Sequence, residues 1–295
     1  MKVVVTGSLG HIGKPLTETL VQKGHSVTVI SSDPEKQSAI EALGAMAAIG
    51  SVEDVDFLVA TFTGADVVHA MIPPNNSVPD PMARNIKLGD CLVRAIGQSG
   101  VKRVLYVSSY GAQLEKGTGL IVGHHHTENA LDALPLEALT HLRATYIYYN
   151  LFAYLNMIKT MGFIGANYGD DDRVVLVSPK DIAAAAVEEI EAQSTGRTVR
   201  YVASDERTCN EIAQILGAAI GKPDLKWVTI TDEQMQSGME ANGVPAPVAA
   251  QLVEMFGACH SGLLNVDYDL HKPKTMGGVK MEDFAIEFAD VFKQA

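Results

Sequence analysis

Val3-Val4-Val5-Thr6-Gly7-Ser8-Leu9-Gly10-His11-Ile12-Gly13 is the stretch on which the reading of this chain turns. Val3–Val5 is apolar on both faces, as a strand inside a parallel sheet must be. Ile12, Leu16, Leu20 and Val21 then recur at helical spacing, with Pro15 near the helix start. Between strand and helix lies Gly-x-x-Gly-x-x-Gly. One glycine makes the tight turn, one lets backbone N–H groups approach a pyrophosphate, and one lets the helix pack closely on the strand. The helix start presents unpaired N–H donors and a positive dipole end to an anion. The competing reading is a ligand-free turn. A loop that ends the first strand and opens a sustained βα alternation favours dinucleotide binding, through Gly7, Ser8, Gly10, His11, Ile12 and Gly13.

The alternation continues outward. Val27–Ile30 reads as a strand, and Asp33-Pro34 opens a helix through Ile40 and Leu43. A weak strand at 45–49, a helical stretch around 57–61, a strand at 66–71, a helix at 86–99 and a strand at 101–107 follow. Strands separated by helices imply right-handed crossovers and one sheet. The fold class is α/β, a doubly wound, mostly parallel sheet.

Ligands of such sheets sit at the carboxyl ends of strands. That singles out Ser31 and Ser32 after the second strand, Met71, Ile72 and Pro73 after the fourth, and Ser108 after the fifth. An acid at the end of strand two would bind the ribose of NAD, and an arginine the 2′-phosphate of NADP. Serine serves either. Asp33 is one position late and also reads as a helix cap before Pro34. The choice stays open, with NADP ahead because no acid occupies the strand end.

Composition narrows the classes. The chain has 295 residues, 47% hydrophobic and 20% charged, a balance for folding. A net charge of −12 with scattered basic residues argues against nucleic acid. No apolar run reaches the ~20 residues of a membrane span, and the N-terminus is too short and glycine-broken for a signal peptide. Cys91, Cys209 and Cys259 are too widely spaced for a CxxC zinc site or a disulfide framework, which suits the cytoplasm. His124-His125-His126 point in different directions on a helix, so no metal is expected there. Asp170-Asp171-Asp172 reads as a solvated turn.

Three stretches carry a family resemblance: Val5-Thr6-Gly7 with its glycine loop, Gly100-Val101-Lys102-Arg103-Val104-Leu105-Tyr106-Val107-Ser108-Ser109, and His141-Leu142-Arg143-Ala144-Thr145-Tyr146-Ile147-Tyr148-Tyr149-Asn150. With Val177-Ser178-Pro179-Lys180-Asp181-Ile182-Ala183 and Met281-Glu282-Asp283-Phe284-Ala285, the chain resembles the NmrA-like group of atypical short-chain dehydrogenases/reductases. The resemblance implies a Rossmann domain (1–155 plus 174–204), a smaller, mainly helical α/β region covering the nicotinamide end (156–173 plus 205–295), and an NADP or NAD ligand.

The sequence departs from the group where chemistry is expected. The strand-two arginine of many relatives aligns with Ser32. The Tyr-x-x-x-Lys pair is missing, with Leu120 at the Tyr position and His124 at the Lys position, and Ala144 replaces a proline. Without that pair an epimerase is disfavoured, whereas a conjugated acceptor can take its proton from water. The expected activity is hydride transfer from NAD(P)H to a small apolar or aromatic quinone or carbonyl acceptor. Ser108, His124 and Tyr146 are the candidate catalytic side chains. The alternative is a non-catalytic redox-sensing regulator that binds a protein partner. A homodimer is a further expectation.

Overall fold

The computed structural model describes residues 1–75, 78–192 and 194–294. Seven strands form the main sheet: β1 (Lys2–Val5), β2 (Ser26–Ser31), β3 (Met46–Ile49), β4 (Val67–Ala70), β5 (Arg103–Ser109), β6 (Ala138–Ala144) and, after three short strands elsewhere, β10 (Gly196–Val202). Their order is β3-β2-β1-β4-β5-β6-β10, and every pairing is parallel. The direction of winding reverses between β1 and β4, so the glycine loop sits at the switch point, where such sheets bind ligands.

Helices cover both faces. On one, α1 (Gly13–Gln22) and α7 (Pro179–Glu191) bury Leu16, Leu20, Ile182 and Ala186 against Val3, Val5, Val29 and Leu105. On the other, α3 (Val55–Phe62), α4 (Pro81–Ser99) and α5 (Val122–Asp132) bury Leu58, Phe62, Leu88, Leu92 and Leu131 against Val4, Val68 and Tyr106. The short α2 (Gln37–Ala42) joins β2 to β3. Helix α4 begins at Pro81, one turn earlier than the apolar spacing predicts. Asp80 accepts a hydrogen bond from the Ala83 N–H at 2.9 Å, and Pro81 fills a first-turn position that needs no donor.

A second core lies beyond β6. It holds β7 (Tyr146–Ile147), α6 (Leu155–Thr160), β8 (Ile164–Ala166), β9 (Arg173–Val177), β11 (Asp205–Thr208), α8 (Cys209–Ala219) and β12 (Trp227–Thr229). The chain closes with α9 (Asp232–Ala241), α10 (Ala246–His260), α11 (Asn265–Leu270) and α12 (Met281–Gln294). Strands β11, β9 and β7 form one small sheet and β12 and β8 another. Residues 174–177, grouped from the sequence with the first domain, therefore pair in a small sheet, because β9 has Tyr146–Ile147 and Asp205–Thr208 as neighbours. No described helix is long and apolar enough to cross a membrane.

Candidate functional site

The glycine loop is shaped by contacts that leave no room for side chains. Gly7 has φ +93°, a left-handed conformation that glycine adopts without penalty. An ideal Cβ on Gly13 would lie 2.1 Å from the Ser8 carbonyl oxygen, so that position excludes even alanine. Ser8 is left-handed too, with φ 56°, unfavourable for a non-glycine residue. It is held by its N–H donating to the Ile30 carbonyl (3.1 Å) and its hydroxyl donating to Ser31 Oγ (3.0 Å). No side chain caps α1, and its first turn carries no acid. Lys14 N–H donates to the Gly10 carbonyl at 3.0 Å and Pro15 carries no N–H, so an anion here would meet the Gly13 N–H and the loop amides before it.

The neighbouring strand ends hold this loop in place. Thr6 Oγ1 donates to the Met71 carbonyl (3.0 Å) and accepts from the Met71 N–H (2.8 Å). That exchange ties β1 to the segment after β4 and lays the Met71 thioether over Gly7. Ile72 is buried, and the Pro73 carbonyl accepts from Arg84 at 2.8 Å. Thr6 and Arg84 escaped the sequence reading, since nothing local marks a side chain that bonds a distant loop.

Ser31, expected to meet the ribose, sits in a hydrogen-bonded hub. It is buried, accepts from Ser8 Oγ and the Asp33 N–H, and donates to the Asp33 carbonyl. Its hydroxyl has no capacity left for a ligand. Ser32 is exposed at the strand end. Asp33 is the cap its position suggested, accepting from the Glu35 N–H at 3.0 Å.

Of the three candidate catalytic side chains, Ser108 and Tyr146 are buried and His124 is half-buried with one ring nitrogen bonded inside the protein. Ser108 is buried and donates to Glu128 Oε1 at 2.6 Å. Glu128 also receives two bonds from Arg143, at 3.0 Å from Nε and 2.6 Å from an Nη. Burial alone would raise the Glu128 carboxyl, but Arg143, His141 and Ser108 hold it below its ordinary range. Arg143 reaches on to Tyr201 and Asp267, both at 3.1 Å, so the cluster joins β5, β6, α5, β10 and α11. His124 shares a 2.9 Å hydrogen bond with Tyr106 mid-strand, and burial pushes its imidazole down to about 4, so it is neutral at pH 7. Tyr146 lies in the second core, where its oxygen accepts from Tyr168 at 3.2 Å and Tyr168 shares a 3.0 Å bond with Tyr154. Burial drives the Tyr146 hydroxyl well above its ordinary pKa. The trio expected to surround one ligand is thus parted among three networks.

What does face the loop is aromatic. Exposed His11 meets the half-buried Tyr149 edge to face, with ring centroids 4.4 Å apart. Tyr149 is pushed up to about 12, mainly by burial and then by Glu287 on α12. A groove of about 780 Å³ elsewhere, between α7, β10 and segment 271–278, includes none of these residues. The strand ends mark the candidate site better than that groove does. Among the described residues no cluster of His, Cys, Asp or Glu could hold a metal.

A parallel sheet with its glycine loop at the switch point defines the class: a dinucleotide-type α/β fold. The model of the NmrA-like family matches residues 1–274, and the chain belongs to that family. It is 25% identical over 274 residues to phenylcoumaran benzylic ether reductase TP7 of Nicotiana tabacum, covering 84% of this chain and 83% of the relative. Its fold matches an NADPH-dependent quinone oxidoreductase of Escherichia coli, with TM-score 0.79, 21% identity and coverage of 97% and 99% of the two chains. It also matches Citrobacter triphenylmethane reductase complexed with NADP(H), with TM-score 0.78, 23% identity and coverage of 98% and 100%.

Proposed function

We propose that this protein binds NAD(P)(H) across its glycine loop and reduces a small apolar or aromatic acceptor of the quinone or carbonyl type. The observation that carries the reading is the cradle at Gly13 and Ser8. A strained serine and a glycine that tolerates no Cβ are retained beneath an uncapped helix start. The three relatives named above are reductases by name, and two of the names include NADPH or NADP(H). When bound, the nicotinamide supplies the hydride.

The chain supplies placement. Gly7, Gly10, Gly13 and the α1 N-terminus hold the diphosphate. Ser32 meets the adenosine ribose or its phosphate, and the absence of an acid there favours NADP. Met71 and Pro73 line the path between. Residues 1–155 plus 174–204 form the cofactor domain, and 156–173 plus 205–295 form the smaller region that covers it. Ser108, His124 and Tyr146 have inward partners. An acceptor that spreads the incoming charge over a conjugated system and draws its proton from water is therefore better suited than a simple ketone.

Calorimetric titration with NADPH, NADH and their oxidised forms, followed by turnover on a panel of quinones and aldehydes, tests the reading. Binding of one reduced form with quinone turnover is expected. Tight binding without turnover, and a protein partner captured only with cofactor present, would favour the regulatory alternative, which the inward-turned side chains also support. Binding of none of the four overturns both.

A further inference from the structure

On the cofactor reading above, the glycine loop and the segment after β6 flank the dinucleotide site. The edge-to-face pair of His11 and Tyr149 spans the gap between them, with interplanar angle 90°. The two partners differ in support. His11 is an exposed ring on the loop itself. Tyr149 is braced from behind by Phe152 and Phe284, with centroids at 5.3 and 6.0 Å.

The brace extends further. Tyr148 stacks on Phe284 at 5.1 Å and donates to the Val279 carbonyl at 3.1 Å. Val279 belongs to the strap that leads from α11 into α12. The Asp181 carboxylate pins that strap, accepting from the Gly278 and Val279 N–H groups at 3.1 Å each and from Ser204 Oγ at 2.6 Å. A Cβ on Gly277 would lie 2.3 Å from Asp181 Oδ2, so strap and carboxylate are in direct contact. Tyr149 is thus the tip of a fastened unit made of the post-β6 segment, the strap and α12.

We infer that His11 and Tyr149 are a latch across the mouth of the dinucleotide site, parting for the cofactor to enter or leave and closed over it once bound. The inference rests on the cofactor reading above. A single edge-to-face pair is weak enough to open thermally. A pair that is closed in the free protein and closes again over bound cofactor acts on the barrier and not on the end states. Its removal speeds association and dissociation together. A residue that only touches bound cofactor changes mainly the dissociation rate. His11 and Tyr149 are positioning residues, and neither takes part in chemistry.

Stopped-flow mixing of the full-length protein with NADPH and with NADH, followed by nucleotide fluorescence, reads both rates. Tyr149→Phe keeps the ring and leaves both near wild type. Tyr149→Ala raises association and dissociation by roughly three- to tenfold with little change in Kd, and His11→Ala raises association by a similar factor whatever the loss of a loop side chain does to Kd. The double variant goes no further than either single one. His11 is exposed, so His11→Ala keeps an unchanged Tm and guards against a folding defect at the half-buried Tyr149. Wild-type binding with unaltered rates in both alanine variants, or a change in dissociation alone, overturns the latch. No binding by wild type overturns the cofactor reading and the latch together.

Discussion

Two sides of one sheet edge treat their polar groups in opposite ways. On the β1–β2 side, side chains are spent on holding the backbone, and no side chain caps the helix start. On the β5–β6 side, Ser108, His124 and Tyr146 donate or accept inside the protein and leave the backbone to look after itself. The first arrangement suits a ligand recognised through its diphosphate. The second suits a scaffold that holds things rigidly and transfers few protons. A protein can keep the binding half of a fold while turning the chemical half into structure.

The contrast breaks first at Arg143. Arg143→Leu leaves Glu128 charged and buried without its two bonds, and is expected to cost about 3–5 kcal/mol, read by urea denaturation. A variant as stable as wild type would mean that the cluster is not structural, and would reopen Ser108 as a free hydroxyl. Gly13→Ala should come next. Its methyl group collides with the Ser8 carbonyl, and dinucleotide affinity should fall roughly a hundredfold in a calorimetric titration. Unchanged affinity would show that the loop is only a turn.

Acid sharpens the comparison on the inward side. His69 and His124 are both pushed down by burial to about 4, and both ring nitrogens of His69 lack a partner. As pH falls below about 6.5 the unfolded chain takes up these protons before the folded one does. Stability is therefore complete above that pH and declines toward pH 4, by at most about 1.4 kcal/mol per pH unit for each histidine. Thermal melts across that window check it, and His69→Leu should flatten the curve; a Tm that does not move would refute the assignment. The smallest effect belongs to Ser108→Ala, a loss of about 1.5 kcal/mol for a hydrogen bond to a charged group. Turnover on a quinone should stay within about threefold of wild type, whereas loss of a general acid would cost roughly a hundredfold or more.

Much of the fold was legible because each early element carries its own signal. Val3–Val5 is uniformly apolar, the glycines punctuate, and Leu16 and Leu20 repeat at helical spacing. The start of α4 lies at Asp80-Pro81, ahead of the apolar spacing that begins at Ile86, so the spacing alone did not reach it. Three strands of the small sheets were not legible. Ile164–Ala166 and Tyr146–Ile147 are three and two residues long, and Asp205–Thr208 is wholly polar, so no alternation can develop. The glycine loop was readable as a site because backbone geometry at glycine is written locally. The hydroxyl partners of Ser31 and Ser108 were not legible, because a hydroxyl's direction depends on residues far along the chain, Ser8 in one case and Glu128 in the other. His11 was assigned to the loop, but its partner Tyr149, 138 positions on, was visible only in three dimensions.

The hydrogen bond from Tyr148 to Val279 spans 131 positions. During synthesis the last strand of the large sheet, ending at Val202, emerges well before the strap and α12. The cofactor half can therefore assemble on the ribosome while the second core still lacks Phe284 and Phe288. A nascent chain at that stage carries an uncovered aromatic floor, with Tyr148 and Phe152 waiting for the final helix. Chains cut short before residue 281 would keep that floor exposed, and are the products for which chaperones and proteases should compete.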